Sequence, residues 1–173
     1  MENALVSIIL IIIIIFAVLT LAHASLDTQE DVISGWVVFE EGTEDRVNTR
    51  LAWISGTSSG DNIEIVLRNE GAVKVADYDR WDVILHYYSP AGDYYIKRLT
   101  YIPGAPTTDE WTVKGIYVDY DNLIVESYEP GIVNPGEEVV LWLAISPPTT
   151  QTSTKLVIIS MSNGVTLQRA FQN

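Results

Sequence analysis

The sequence predicts an α+β protein in which a long N-terminal hydrophobic helix is followed by an immunoglobulin-like antiparallel β-sandwich. The run Ala4–Ala22 contains no charge, no glycine and no proline. From Trp36 onward, short runs rich in aromatic and β-branched residues alternate with clusters of turn residues, which is typical of an all-β domain. No second helical pattern follows. We therefore expect a helical segment over residues 1–35 and a β-sandwich outer domain over residues 36–173.

The helix is predicted from the length and uniformity of its apolar run. Ala4–Ala22 has 19 residues, so as a helix it is about 28 Å long, close to the hydrocarbon thickness of a bilayer. It is apolar on every side and must be surrounded by lipid or by other apolar helices. His23–Ser34 has apolar residues among polar ones and is expected to extend the helix into water, with Gly35 ending it.

The origin of this helix has three interpretations. Ala22-His23-Ala24 before Ser25 has the form of a signal-peptide cleavage site, but the basic segment of such a signal is missing. A permanent anchor is the second interpretation, although no Lys or Arg before Arg46 provides the usual positive flank. The third is that residue 1 is a processed terminus from which a basic leader was removed. The missing charge favours the third interpretation, and the last two leave the helix in place.

The strands are predicted from runs bounded by glycine, proline and asparagine. Ile63, Ile65 and Leu67 alternate with polar residues, as in a half-buried strand. Asn163-Gly164 is the strongest hairpin signal, since a type I′ turn needs positive φ at both positions. Roughly seven to nine strands are expected from ten candidate runs, spaced as in a sandwich. The candidate runs are Gly35–Glu41, Thr49–Ser55, Ile63–Asn69, Trp81–Ser89, Tyr94–Ile102, Trp111–Tyr120, Leu123–Tyr128, Glu138–Ser146, Lys155–Ser162 and Val165–Phe171.

The composition and the missing motifs argue against several classes of function. The net charge of −13 argues against a nucleic-acid partner, which needs a basic patch, and the absence of cysteine excludes disulfides and thiol chemistry. The only histidines are His23 and His86, and no motif for a nucleophile, a catalytic metal, a phosphate or a dinucleotide occurs. We therefore expect no enzyme activity and no cofactor. Most tyrosines and tryptophans are expected in the core or at sheet edges.

Two acidic stretches are candidate oxygen ligands for Ca²⁺. They are Asp77-Tyr78-Asp79 with Asp82, and Asp119-Tyr120-Asp121. Neither has the spacing of an EF-hand loop. Acidic loops on a protein of this charge are ordinarily solvated, and the prediction is that no metal is bound.

Four short segments, together with the helix, resemble the archaellins, the filament subunits of the archaeal motility organelle. Ile63–Gly71 resembles their strand ending in Asn-x-Gly, and Asp79–Leu85 resembles the strand that follows. Tyr128–Glu137 contains a similar Asn-Pro-Gly-Glu turn, and Asn163-Gly164-Val165 is similar to the closing hairpin. The resemblance extends to the wider superfamily of type IV pilin-like proteins that carry class III signals.

The resemblance implies a structural subunit of an extracellular helical filament, the archaellum, that polymerises with its own copies. Before assembly it would lie in the cytoplasmic membrane and would be served by a prepilin-type (class III) signal peptidase and an assembly ATPase. The alternatives are a membrane-anchored accessory or stator-like β-sandwich protein of the same machinery, or an adhesive type IV pilus subunit. The implied polymerisation residues are Ala4, Leu5, Ile8, Ile9, Ile11, Ile12, Ile15, Phe16 and Leu19.

Overall fold

The structure, a computed structural model, describes the backbone of residues 2–172 and the side chains of 8–40 and 42–172. This part of the chain forms one long helix, α1 (Glu2–Asn48), and nine strands, with a short 3-10 helix at Tyr78–Arg80. The strands are β1 (Leu51–Ser59), β2 (Asn62–Asn69), β3 (Asp82–Tyr88), β4 (Tyr94–Tyr101), β5 (Glu110–Asp119), β6 (Ile124–Val125), β7 (Glu138–Ala144), β8 (Lys155–Ser160) and β9 (Thr166–Phe171).

Helix α1 continues well past the predicted end at Gly35. The strand predicted at Gly35–Glu41 is wrong, because these residues are helical. Strand propensity is a weak preference, and no proline interrupts the helical hydrogen bonds here. Gly35 lies inside the helix, and its φ is not positive, as the φ of a glycine that ends a helix commonly is.

The boundary expected at residue 35 depended on that wrong strand. The chain separates into two compact units, of which the first ends at Glu44 and the second begins at Asp45. The last turn of α1 therefore belongs to the same unit as the strands. We call this second unit the β domain.

The strands of the β domain form two sheets. The first sheet has the order β1-β2-β7-β5, with β6 beside β5, and the second has the order β4-β3-β8-β9. Within each sheet the neighbouring strands are antiparallel. A short parallel pairing, Thr100 with Glu110 and Tyr101 with Trp111, joins β4 to β5 at one side. Numbered in chain order, this is the immunoglobulin arrangement of strands A-B-E-D against C′-C-F-G, which confirms the predicted fold class.

The core lies between the two sheets. Ile63, Ile65 and Leu67 of β2 are fully buried, as their alternation predicted. The predicted hairpins β3–β4 and β8–β9 are confirmed by their continuous antiparallel registers. The type I′ turn expected at Asn163-Gly164 is wrong, because Gly164 has positive φ, of 83°, but Asn163 does not. Trp111 is completely buried and packs against the rings of Trp81 and Tyr101, with centroid separations of 6.1 and 5.0 Å.

Two strands differ from the sequence prediction by more than two residues at one end. Residues 56–59 were expected in a turn but belong to β1, because they pair with β2 as far as Ser59 and Asn62. Gly56 is required there, since a Cβ would lie 2.4 Å from the ring of Trp53. The strand predicted at Leu123–Tyr128 shortens to β6, which pairs only with β5.

Candidate interaction surfaces

Asn69, at the end of β2, is the centre of a buried polar network. Its side chain is completely buried, and its Nδ2 donates to the carbonyl oxygens of Val73 and Val133 at 2.8 and 3.0 Å. Its Oδ1 accepts a hydrogen bond from the backbone N–H of Gly71 at 3.0 Å. Because unpaired polar groups are costly in a protein interior, this pairing fixes three chain segments around one residue.

The Asn-Pro-Gly-Glu turn packs against this network. The backbone N–H of Asn69 donates to the Glu137 carbonyl at 2.9 Å, and the Gly136 N–H donates to the Asn69 carbonyl at 2.7 Å. Gly136 has φ of 91°, a conformation that other residues rarely adopt. The Glu137 carboxylate accepts the N–H of Asn134 at 2.8 Å and closes the turn. Two of the segments that resemble archaellins are therefore in direct contact.

The same end of the β domain holds the chain where it leaves α1. The Ala72 N–H donates to the carbonyl of Asn48 at 2.8 Å. Gly71 lies so close to this segment that a Cβ would be 2.3 Å from the Asn48 oxygen. Any side chain at position 71 would push this part of the chain away from the backbone of Asn48 and Arg50.

The β8–β9 hairpin supplies a second attachment for the end of α1. Arg46 Nε donates to the Asn163 carbonyl at 2.7 Å, and Asn163 Nδ2 donates to Thr49 Oγ1, also at 2.7 Å. Thr49 Oγ1 in turn donates to the carbonyl of Asp45 at 2.6 Å. Three of the four segments that resemble archaellins therefore meet where the chain enters the β domain. We call this group the junction: Asp45–Thr49, Asn69, Gly71, Asn134–Glu137 and Asn163.

The apolar part of α1 is a surface on every side. The described apolar side chains from Ile8 to Leu21 are between 49% and 73% exposed. Among the described residues, α1 is the one helix long and apolar enough to cross a membrane.

The nine predicted polymerisation residues are distributed around this helix. Seven of them, Ile8, Ile9, Ile11, Ile12, Ile15, Phe16 and Leu19, are exposed to a similar degree as their neighbours. Ala4 and Leu5 lie outside the residues whose side chains are described. The structure does not distinguish a polymerisation face, so this role stays a prediction.

The solvent face of the second sheet is a second apolar surface. Val83, Leu85 and Tyr87 of β3 point into the core, so the alternate residues of β3 and its neighbours point outward. Strand pairing places Ile96, His86, Leu156 and Ala170 side by side across the sheet, and Arg98, Ile84, Ile158 and Gln168 in the adjacent row. We call this surface, with Tyr88 and Tyr94, the outer face.

The outer face carries little charge on a strongly acidic protein. Ile96 and Tyr94 are 60% and 53% exposed. The His86 ring nitrogen Nδ1 hydrogen-bonds to the Tyr94 hydroxyl at 2.9 Å. Among the outward-facing strand positions, Asp82 and Arg98 are charged, and they pair with each other at one end. A solvated sheet face is ordinarily polar, so this composition makes the outer face a candidate interaction surface.

A smaller apolar patch surrounds β6. Ile124 and Val125 of this edge strand are more than half exposed, as are Val118 and Leu123, and Tyr128 is 92% exposed. Glu126 accepts hydrogen bonds from the backbone N–H groups of Glu129 and Tyr128, which lower the pKa of its carboxyl group. Acidic residues thus interrupt this patch, whereas the outer face is continuous.

Two of the five carboxylates considered as calcium ligands, Asp82 and Asp119, are engaged in other contacts. Asp119 accepts hydrogen bonds from the Asn122 side chain and backbone at 2.7 and 3.1 Å, and these bonds lower the pKa of its carboxyl group. Asp82 pairs with Arg98. In the described part of the chain, no group of three or more His, Cys, Asp or Glu residues could hold a metal ion.

The chain was compared with known proteins by sequence and by structure. No family model and no curated protein matches its sequence. Among solved structures, it is similar to the archaellum periplasmic stator protein FlaG from Sulfolobus acidocaldarius, with a TM-score of 0.50 and 19% identity, over 71% of this chain and 99% of that one. The two chains share a fold.

A second solved structure, the FlaF and FlaG stator complex from the same organism, gives the same TM-score and identity over 71% of this chain and 89% of that chain. Both of these solved structures are stator proteins, whereas the sequence motifs resemble archaellins. At 19% identity the structural comparison shows the fold alone.

The sequence analysis does not predict the outer face. It predicts that most tyrosines lie in the core or at sheet edges. Tyr87 is in the core, but Tyr88 and Tyr94 are exposed. The available signal was that β3 and β8 are apolar at successive positions, Val83–Leu85 in β3 and Leu156–Ile159 in β8. Strands of that kind have both faces covered.

Proposed function

We propose that the chain is a membrane-anchored, stator-like structural protein of the archaellum machinery, without enzyme activity. The observation that supports this most directly is the fold shared with FlaG across 99% of the length of that stator chain. The junction agrees with a mechanical role, because it fastens the end of α1 to two separate parts of the β domain.

The helix supplies the anchor in this proposal. Its apolar run is long enough to cross a bilayer and is exposed on all sides, and at about 25 cal/mol per Å² its burial in lipid is worth tens of kcal/mol. The backbone groups of a helix are satisfied within it, so the segment is stable in hydrocarbon. The β domain then lies outside the cytoplasmic membrane.

The outer face supplies the contact with another component. The FlaF and FlaG structure is described as a stator complex, and we infer that this chain likewise docks a β-sandwich partner through the outer face. A stable contact of this kind needs about 800 Å² from each partner, which a four-stranded sheet face can provide. The apolar rows on β3, β4 and β8 would form its centre.

A filament subunit is the second candidate, favoured by the archaellin-like segments and by an apolar surface that encircles α1. Such a subunit would wait in the membrane, be processed by the class III peptidase and be assembled by the ATPase. It would then pack Ala4–Leu19 among identical helices, in an archaellum or an adhesive pilus. Heterologous, non-closing contacts between copies would build the helical polymer.

Reconstitution into lipid vesicles tests the anchor. The full-length chain is expected to float with phosphatidylcholine vesicles and to stay bound after an alkaline wash. The variant with Arg at every position from 8 to 15 places eight charges in the apolar run at a cost of about 3 kcal/mol each, which together offset a burial worth tens of kcal/mol, so it should be released. The matched control Leu123→Arg, on the β6 patch, should stay bound. Release of the unmodified chain by the wash would overturn the anchor.

A further inference from the structure

Helix α1 carries a second apolar segment beyond the one assigned to the membrane. Val32, Ile33, Trp36, Val37, Val38 and Phe39 are between 48% and 70% exposed. The rings of Trp36 and Phe39 meet edge to face with centroids 6.4 Å apart. We propose that Val32–Phe39 is the docking segment for a partner helix whose apolar face is flanked at both ends by Lys or Arg. The inference rests on the membrane anchoring proposed above.

The bilayer does not reach this segment when Ala4–Ala22 fills it. Val32 lies about 15 Å along the helix beyond Ala22, and Phe39 lies about 25 Å beyond it. The headgroup layer adds only about 5 to 8 Å to each side of the hydrocarbon. Asp27, Glu30 and Asp31 also separate the two apolar segments. Lipid therefore leaves six large apolar side chains uncovered.

Charge selects the kind of partner. The docking segment is preceded by Asp27, Glu30 and Asp31 and followed by Glu40, Glu41 and Glu44, and no Lys or Arg occurs before Arg46. Two copies anchored in one membrane would run parallel and would place each acidic group beside its counterpart. Like charges at such distances repel, whereas Lys or Arg groups on a partner would face both acidic groups at once. The charge pattern thus favours a basic-flanked partner over a second copy.

Gly35 supplies the close approach that helix packing requires. It lies inside the helix, where glycine costs about 1 kcal/mol relative to alanine. A Cβ added to it would meet nothing within 4 Å, so nothing in the described structure needs a glycine there. With Val32, Trp36 and Phe39 it lines a shallow hollow. A bulky apolar side chain of the partner fits over Gly35 between these neighbours.

Two synthetic helical peptides test the proposal. They share one leucine-rich face and differ in carrying lysines or glutamates at both ends. Each is titrated against the full-length chain in phosphatidylcholine nanodiscs, with empty nanodiscs as the blank, and binding is followed by fluorescence anisotropy. The lysine-flanked peptide should bind at least about tenfold more tightly, and salt should weaken it. Equal binding of both peptides would overturn the proposal.

Substitutions in the docking segment test whether the lysine-flanked peptide binds there. Trp36→Gln and Gly35→Leu should each weaken the lysine-flanked peptide by about tenfold, since central aromatic contacts dominate such interfaces. Leu123→Gln, which removes an equally exposed apolar residue from the β domain, should leave binding unchanged. Unchanged binding by Trp36→Gln would contradict the proposal.

A self-association measurement separates the remaining outcomes. The chain has no cysteine, so Val32→Cys, on the same face of the helix as Gly35 and Trp36, introduces a single thiol. If two such chains in one nanodisc form a disulfide efficiently, a second copy covers the segment and the proposal is overturned. Little disulfide, together with lysine-dependent peptide binding, supports it. A chain that fails to float with vesicles overturns the anchor instead, so the two failures are distinguishable.

Discussion

Asn69 shows how one residue can organise several segments. Replacing it with alanine leaves the carbonyls of Val73 and Val133 and the N–H of Gly71 without this partner in a buried place. Since an unsatisfied buried polar group costs about 1 to 3 kcal/mol, we expect Asn69→Ala to lower the free energy of unfolding by about 2 to 4 kcal/mol. Urea unfolding of the full-length chain in detergent, followed by tryptophan fluorescence, measures this loss.

The matched control is Asn122→Ala. This exposed side chain bonds only to Asp119, so the expected loss is below about 1 kcal/mol. Equal losses in the two variants would show that the network around Asn69 does not hold the domain together.

Tyr87 makes the β domain sensitive to alkali. Burial chiefly, and then the charge of Asp109, raise its pKa to about 12, and its hydroxyl donates to the Pro147 carbonyl at 2.9 Å. In the unfolded chain the phenol loses its proton near pH 10. Between these values the unfolded state loses the proton first, so the stability present below pH 10 is lost as the pH rises to about 12.

Tyr87→Phe tests this linkage. The variant should lose about 1 kcal/mol at pH 7 with the hydrogen bond, and its stability should fall less steeply above pH 10.5. Burial raises the pKa of Tyr78 as well, so part of the fall remains. Tyr128→Phe, which changes an exposed ring, should keep the full slope. Identical slopes in all three proteins would refute the role of Tyr87.

The alkaline measurement is confined to pH above 10.5 because of Lys155. This side chain is fully buried, and desolvation lowers the pKa of its ammonium group. The folded state therefore releases that proton before the unfolded state does, and stability rises with pH up to about 10.5. Above that value the groups with raised pKa, Tyr87, Tyr78 and Lys114, all make the stability fall as the pH rises, and Tyr87→Phe removes only the contribution of Tyr87.

At the scale of the elements, a substitution on the outer face is expected to weaken binding of the partner without lowering the stability of the β domain. Ile96 is 60% exposed, so Ile96→Lys should change the free energy of unfolding by no more than about 0.5 kcal/mol. The same change places an unpaired charge in the centre of the proposed contact and should abolish the complex with the partner β-sandwich. Chemical cross-linking in native membranes, followed by immunoblotting, measures this complex.

Tyr128→Lys on the β6 patch is the control for that experiment and should leave the complex intact. A cross-linked complex that survives Ile96→Lys but is lost with Tyr128→Lys would move the contact to the β6 patch.

The elements also show how far sequence reasoning extends. The hairpin at Asn163-Gly164 and the alternation in β2 were predictable, because turn chemistry and a single buried face are local properties. The end of α1 was not, because Trp36–Phe39 has strand propensity and only the surrounding helix decides its conformation. The junction was visible only as separate motifs, since Asn69 and Gly136 are brought together by the pairing of β2 with β7.

At the scale of the whole molecule, the acidic charge and the apolar surfaces are separated. The net charge of −13 opposes indiscriminate association, whereas the run Ala4–Ala22 of α1 carries no charge and the outer face carries only the Asp82–Arg98 pair. This distribution suits a protein that is held in a membrane and contacts few partners. A filament subunit with the same fold would use α1 for its own copies, so the location of the protein distinguishes the two functions.

A stator-like protein requires that α1 remains in the membrane of the cell. Shearing cells that produce the protein, and comparing its amount in the released appendages and in the washed membranes by immunoblotting, tests this most directly. We expect the protein to stay with the membranes, with none enriched in the sheared filaments. Recovery of most of the protein in the sheared filaments would contradict the anchor and establish the filament subunit.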